Sequence, residues 1–191
     1  MDFSLLLTHL QKNVQLSQEE EQLFLSKLQF KSVDRKQFLY QEGAIHQGMS
    51  FVISGCLRSY SLDANGVEHI LQFAPPGWWI ADINSVNNQI PSSLNIDAIE
   101  NSTMFFLTHQ DREKLFVAIP QLERFFRILV ENSLITYQKR LLDNMSLTAK
   151  DRYQNFCKLY PGLIMELPQK QVAAYIGVTP EFLSKMLNSK Q

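Results

Sequence analysis

Several polar side chains near the C-terminal end of the sequence have the chemistry needed to contact DNA. Glu181 and Lys185 lie four residues apart, so a helix would place both on one face. A lysine can donate to guanine, and a glutamate can accept from the amino group of cytosine. Gln169 and Lys170, at the start of the preceding helix, would lie near phosphates of the DNA backbone. The predicted DNA-binding residues are Gln169, Lys170, Thr179, Glu181, Ser184, Lys185 and Asn188, although simple solvation also accounts for polar residues at such positions.

Local residue choices between Gln169 and Lys185 predict two helices joined by a tight turn. Gly177 can adopt the positive φ that a sharp turn requires, and Ala173 leaves room for a close helix approach. Thr179 is a favourable N-cap, and Pro180 suits the first helical position. The residues predicted to be buried are Val172, Ile176, Val178, Leu183 and Met186. The pattern predicts a helix–turn–helix, and an ordinary αα-hairpin packed on the core is the alternative.

A long helix, from about Gln121 to Met145, precedes this motif. Four residues along it follow 4-3-4 spacing, which suits the seam of a coiled helix pair with a small residue in it. We therefore expect a homodimer, with an interface that contains Leu122, Phe126, Leu129 and Ser133. A capping box at Thr148–Asp151 then predicts a further helix that ends near Tyr160.

The first half of the sequence changes its periodicity at Phe30. Before it, residues 2–12 and the capping box Ser17–Glu20 predict two helices. From Phe30 to Leu107, short runs with strand-like composition alternate with turn residues. These runs are 38–40, 50–53, 57–62, 69–73, 94–99 and 103–107. Many short strands at this spacing predict a small antiparallel sandwich or barrel.

The composition indicates an ordinary folded protein. The 191 residues are 45% hydrophobic and 19% charged, and the formal net charge is −1. Residues 1–100 carry six Lys/Arg and eleven Asp/Glu (−5), whereas residues 101–191 carry twelve and eight (+4), which favours different partners for the two halves. The sequence contains no run of about 18 apolar residues and no basic signal-peptide region. Because Cys56 and Cys157 suit buried thiols in a reducing compartment, we expect a soluble cytoplasmic protein without a membrane partner.

No arrangement of residues in the sequence predicts catalysis or a metal site. A β-roll enzyme of the cupin type needs clustered His and Glu ligands with His-x-His spacing, and this spacing does not occur. The sequence also lacks a serine nucleophile elbow and a glycine-rich phosphate loop. Two distant cysteines cannot hold an iron–sulfur cluster. The histidines, which we expect at the surface or hydrogen-bonded rather than bound to haem, are His9, His46, His69 and His109.

The order of a β-roll, a long helix and a terminal helix–turn–helix resembles the cyclic-AMP receptor protein/fumarate-nitrate regulator (CRP/FNR) family of bacterial transcription factors. The segments that carry the resemblance are Phe51–Tyr60, Leu62–Leu71, Pro76–Gly77 and Gln171–Glu181, and Gly77–Asp82 is similar to a Bacteroidetes-type subgroup. The resemblance implies an α+β fold with N-terminal helices and an antiparallel, cyclic nucleotide-binding-like double-stranded β-roll. It also implies a sensor roll with flanking helices over residues 1–120, a dimerisation helix over 121–145 and a helix–turn–helix domain over 146–191.

The resemblance further implies an effector site in the roll. In cyclic-AMP binders a Gly-Glu pair accepts the ribose hydroxyl, and an Arg-Ser pair clamps the cyclic phosphate. Here Ala81-Asp82 and Ser92-Ser93 occupy these positions, so the arginine that grips the phosphate is missing and we do not expect tight cyclic-AMP binding. Trp78 and Trp79 are expected in the core or the pocket lining, with ligand stacking as the alternative. The expected pocket residues are Gly77, Trp78, Trp79, Asp82, Ser92 and Ser93, with Tyr137 and Gln138 at the base-contacting positions of the long helix, and the effector itself is not identified.

The C-terminal end departs from the family pattern. Members usually follow the recognition helix with a β-hairpin wing, whereas only Ser189-Lys190-Gln191 follows Asn188 here. We expect either a wingless reader or a shortened chain. The partners implied are double-stranded DNA with an inverted-repeat site, a second copy of the chain and RNA polymerase. The alternative is a ligand-binding or protein-interaction module of the same fold that no longer binds DNA.

Overall fold

The computed structural model describes residues 1–189, which form two compact units. The first unit comprises Met1–Ser61 and Gln72–Glu131, and the second comprises Leu62–Leu71 together with the residues from Asn132 onward. The helices are α1 (Ser4–Gln11), α2 (Gln18–Ser26), α3 (Ile83–Asn88), α4 (His109–Ala118), α5 (Pro120–Ser146), α6 (Ala149–Leu159), α7 (Gln169–Ile176) and α8 (Pro180–Asn188). The strands are β1 (Gln29–Val33), β2 (Phe38–Tyr40), β3 (Gly48–Ser54), β4 (Leu57–Leu62), β5 (Glu68–Ala74), β6 (Trp79–Ile80), β7 (Asn95–Ala98) and β8 (Ser102–Thr108). Among the described helices, none has the length and apolar character needed to cross a membrane.

The strands form two four-stranded sheets with the orders β1-β8-β3-β6 and β2-β7-β4-β5. The resolved registers are antiparallel, including Phe51 opposite Phe105 and Arg58 opposite Asp97. Because opposed residues share a face, Arg58 and Asp97 meet as a buried pair, with Nε–Oδ1 2.7 Å and Nη2–Oδ2 2.9 Å. At Gly48 the strands lie so close that an added Cβ would stand 2.1 Å from the Leu107 carbonyl oxygen.

The first unit has two apolar clusters. One lies between the sheets and contains side chains from both, including Val52, Met104, Leu57 and Ile96. The other joins the outside of the roll to helices α1, α2, α4 and the beginning of α5. Leu122, Phe125 and Phe126 of α5 belong to this second cluster, so the first turns of the long helix complete the core of the first unit.

Side-chain caps fix the helix starts where the sequence predicts them. Ser17 and Glu20 form a reciprocal capping box at α2. Thr108, Thr148 and Thr179 each accept a backbone N–H of the helix that follows. These bonds satisfy donors that the first turn of a helix leaves without partners, and they confirm the starts predicted at Ser17, Thr148 and Thr179.

The predicted α+β fold class is confirmed, with N-terminal helices, an antiparallel β-roll, a long helix and a C-terminal helix pair. Helix α3, which has little apolar periodicity and begins at the buried cap Asp82, was not predicted. Strands β1 and β6 were not among the predicted runs either. The division into residues 1–120, 121–145 and 146–191 stays a prediction. The expectation of a missing wing rests on residues 189–191, of which 190 and 191 lie outside the described residues.

Candidate nucleic-acid interface and effector cassette

Helices α7 and α8 form a helix–turn–helix in the second unit. Gly177 ends α7 with φ 71°, and the Val178 N–H donates to the Ala173 carbonyl across 3.1 Å. The Thr179 hydroxyl accepts from the Phe182 N–H at 3.2 Å, which starts α8. Val172, Ala173, Ile176 and Leu183 are buried, whereas Val178 and Met186 are half-buried. The turn and its caps therefore fix where α8 begins and which of its sides faces solvent.

The predicted DNA-binding residues are mostly exposed. Glu181, Lys185 and Asn188 lie on the solvent face of α8, while Ser184 is half-buried and accepts from the Asn188 amide at 3.5 Å. The hydroxyl of Thr179 caps the helix, so its first role is structural. Gln169 and Lys170 are exposed in the first turn of α7. The exposed side chains of this set therefore reach solvent on two helices that a nucleic acid could approach.

Phe182, which is not among the predicted DNA-binding residues, is 52% exposed on α8. It lies three residues before Lys185 and therefore beside it on the helix surface. An exposed phenylalanine next to a basic residue is a signal that a helical projection of the sequence could have revealed. Apolar side chains at such positions can contact the thymine methyl group in the major groove.

The cassette in the roll is closed by hydrogen bonds within the chain. Asp82 is buried and its carboxylate accepts from the N–H groups of Asn84 and Ser85, at 3.0 and 3.3 Å. The Ser92 hydroxyl donates to the same carboxylate across 2.6 Å. Ser92 is buried as well, whereas Ser93 is exposed. The two positions that would hold a ribose and a phosphate in cyclic-AMP binders therefore bind each other.

A buried histidine lies against this cassette. The Asp82 N–H donates to His46 Nδ1 at 3.3 Å, and the His46 ring stacks on Tyr40 with ring centres 3.9 Å apart. His46 Nε2 is buried without a hydrogen-bond partner, so the expectation of a surface or fully hydrogen-bonded histidine is wrong for this residue. Burial lowers the pKa of His46, and the Asp82 charge acts in the opposite direction. The described residues hold no cluster of three or more potential metal ligands.

The remaining predicted pocket residues lie in two different units. Gly77 occupies a turn with φ 88°, and its N–H donates to the Val52 carbonyl at 2.9 Å. Trp79 packs on Phe51 and Phe126, with ring centres 5.3 and 5.4 Å away, and Trp78 packs against the cluster between the sheets. Both tryptophans therefore pack against apolar side chains, as expected for residues of the core or the pocket lining. Tyr137 and Gln138 are exposed residues of α5 in the second unit.

The predicted dimer seam is divided along α5. Leu122 and Phe126 are buried in the core of the first unit, and Leu129 packs partly against the same cluster. Ser133 is exposed. The apolar residues of α5 that remain exposed come later in the helix and include Leu134, Leu141 and Met145. An apolar stripe in a sequence does not distinguish burial within the chain from burial against a second chain.

Comparison with known proteins gives consistent results. Residues 30–118 match the cyclic nucleotide-binding domain family. A relative, the anaerobic regulatory protein of Pasteurella multocida, is 23% identical over 172 residues, which is 84% of this chain and 62% of that protein. The anaerobic regulatory protein of Aggregatibacter actinomycetemcomitans is 22% identical over 84% of this chain and 66% of its own length. The chain thus spans just under two thirds of these relatives.

Solved structures share the fold across most of the chain. FixK2 from Bradyrhizobium japonicum has a TM-score of 0.73 and 20% identity, covering 84% of this chain and 82% of its own. The catabolite activator protein of Thermus thermophilus has a TM-score of 0.58 and 22% identity, covering 91% and 83%. Residues 30–118 thus match a cyclic nucleotide-binding domain, and the chain shares with these solved structures the fold that its resemblance to the CRP/FNR family implies.

Proposed function

We propose that the chain is a DNA-binding transcription regulator that reads double-stranded DNA with α8. The observation that carries the proposal is the exposed face of α8, which begins at a capped N-terminus and presents Glu181, Lys185 and Asn188. A helix of this kind can enter the major groove with its first turns against the base edges. There Lys185 donates to guanine and Glu181 accepts from cytosine, while Lys170 contacts a phosphate.

The regulator acts as a homodimer on an inverted repeat. The exposed apolar residues of α5 in the second unit, Leu134, Leu141 and Met145, support pairing with a second copy. Leu134 and Leu141 are seven residues apart, which is the repeat of a coiled helix pair. A two-fold dimer presents two reading helices about 34 Å apart, in successive major grooves. The site is therefore a sequence with two-fold symmetry.

The roll is an effector domain with a ligand other than tightly bound cyclic AMP. Its cassette offers no arginine, and the Asp82 carboxylate is already bonded to Ser92 and to the start of α3. A phosphate anion finds no charge-assisted partner at the Ser92 position. The proposed assignment includes no metal, no haem and no catalytic reaction. RNA polymerase is a further partner, and the site of action is the cytoplasm, where a bacterial regulator meets its DNA.

Selection of bound duplexes from a random DNA pool, with the full chain, tests this function. The expected result is an enriched motif with two-fold symmetry and half-sites about 10 base pairs apart. Lys185→Ala is expected to weaken binding at the cognate base by about 1–3 kcal/mol and to relax the preference there. Lys170→Ala is expected to weaken binding to all DNA sequences alike. It should also reduce the slope of log binding constant against log salt concentration by about one. Absence of any enriched motif would favour the ligand-binding or protein-interaction module instead.

A further inference from the structure

Arg140 of α5 joins three segments of the second unit. Its Nη1 donates to the Leu71 carbonyl at 2.7 Å, and its Nη2 donates to the Ile70 carbonyl at 2.6 Å. The same Nη2 donates to the Tyr175 carbonyl at 2.6 Å, and the guanidinium lies 3.9 Å above the centre of the Tyr175 ring. One half-buried side chain therefore holds a strand of the hairpin Leu62–Leu71, the long helix and the first helix of the reading motif.

The chemistry of these contacts suits arginine and no other residue. The guanidinium presents five N–H donors in one plane, so it can serve several carbonyl groups at once and stack on an aromatic face. Tyr175 lies in the last turn of α7, where the carbonyl groups lack helical partners and favour a positive charge. Burial raises the pKa of Tyr175 and the Arg140 charge lowers it, which agrees with close contact between the two.

The contacted segments lie next to functional parts of the chain. The hairpin Leu62–Leu71 is continuous with β4 and β5 of the effector roll. Helix α7 is continuous, through the turn at Gly177, with α8. We propose that Arg140 is a positioning residue that couples the state of this hairpin to the placement of the DNA-reading helix. The proposal rests on the DNA-binding function proposed above and adds a route of regulation to it.

Coupling of this kind acts in both directions. If hairpin contacts favour one placement of α7 and α8, then DNA bound to α8 must stabilise the hairpin by the same free energy. A residue that merely braces the fold would stabilise the hairpin equally with and without DNA. The effect of DNA on the hairpin therefore separates coupling from bracing.

Hydrogen exchange of the full chain, with and without the duplex chosen in the selection experiment, measures this effect. In the wild type, DNA is expected to slow amide exchange in Leu62–Leu71. In Arg140→Gln this slowing is expected to disappear, and DNA affinity is expected to fall by about 5- to 150-fold. Arg140→Lys is expected to behave like Arg140→Gln, since a compact ammonium group lacks the planar fork that reaches carbonyls on both segments while it stacks on Tyr175. Lys139→Gln removes the same charge from the neighbouring exposed residue and is expected to behave like the wild type.

Exchange in the free protein makes the test independent of DNA binding. Arg140→Gln is expected to speed exchange in the hairpin and in α7 together, while a thermal melt reports that the variant still folds. If neither the wild type nor the variants bind DNA, the function proposed above fails. Exchange in the free protein still tests whether Arg140 holds the hairpin and α7 together. The coupling is overturned if DNA protects the hairpin of Arg140→Gln as in the wild type, or if Arg140→Lys restores full coupling.

Discussion

Ser92 donates its hydroxyl hydrogen to the Asp82 carboxylate across 2.6 Å, although ten residues separate them in the chain. The contact joins the two positions that, by the resemblance to cyclic-AMP binders, would hold a ribose and a phosphate. Asp82 also caps α3, so its carboxylate receives two backbone N–H groups and one hydroxyl. The cassette of this chain is thus held together by its own side chains.

Loss of this contact is expected to destabilise the roll. Ser92→Ala leaves a buried carboxylate with one donor fewer, and a hydrogen bond to a charged group contributes about 1.5–3 kcal/mol to the free energy of unfolding. Urea unfolding of the full chain measures the difference. The matched control is Ser93→Ala, whose side chain is exposed and should change stability by less than about 0.5 kcal/mol. Equal effects of the two variants would contradict the closed cassette.

Titration of the wild type with cyclic AMP is expected to give no submicromolar Kd. The missing arginine contact alone weakens binding by about ten- to a hundredfold. Ser92→Arg is not expected to restore tight binding, because the new guanidinium would pair with the Asp82 carboxylate, whose Oδ2 loses the Ser92 donor, rather than with a phosphate. Calorimetry measures both, with Ser93→Arg as the control for added charge. A submicromolar Kd for the wild type would mean that the cassette opens to accept the nucleotide.

Local interactions made the fold largely predictable. The capping residues Ser17, Thr148 and Thr179 act within three residues, so sequence spacing reveals them. The bond between Ser92 and Asp82 and the contacts of Arg140 join residues that are distant in sequence, and no local pattern encodes them. The dimer seam was predicted from an apolar spacing that the first unit uses for its own core. Only the structure therefore shows which apolar residues of α5 are buried within the chain.

The dimer is expected to depend on the exposed part of α5. Leu141 is 62% exposed, and Leu141→Lys would bring an unpaired charge into the interface twice by symmetry, which is expected to weaken association by about 3 kcal/mol or more. Sedimentation at several concentrations measures the change. Leu122→Ala is the control, because Leu122 is 0% exposed and its loss should lower folding stability by about 2–5 kcal/mol without dissociating folded dimers. A wild type that sediments as a monomer at tens of micromolar would contradict the dimer.

Folding stability is expected to fall on acidification, in part through His46. Burial holds its pKa below the unfolded value of about 6.5, so the unfolded chain takes up a proton first. The contribution of His46 to folding stability is complete above that unfolded pKa and is lost as the pH falls through the folded pKa. The groups that face the ring are Asp82 and Tyr40. Between pH 7.5 and pH 5.5, urea unfolding should show a smaller loss of stability for His46→Gln than for the wild type. Part of the loss that remains comes from His9, because its pKa is also lowered by burial.

Phe182 is expected to read a thymine in the selected DNA site. Its side chain is 52% exposed beside Lys185, where an apolar group can meet the methyl group that distinguishes thymine in the major groove. Replacing that thymine by uracil removes only the methyl group, and burial of one such group contributes about 0.8 kcal/mol, or roughly a fourfold change in Kd. Binding titrations should show this loss at one position of each half-site for the wild type and no loss for Phe182→Ala. Leu187→Ala, which changes the other exposed apolar side chain of α8, should retain the sensitivity to uracil. If Phe182→Ala still distinguishes thymine from uracil at every position, the aromatic side chain does not contact the bases.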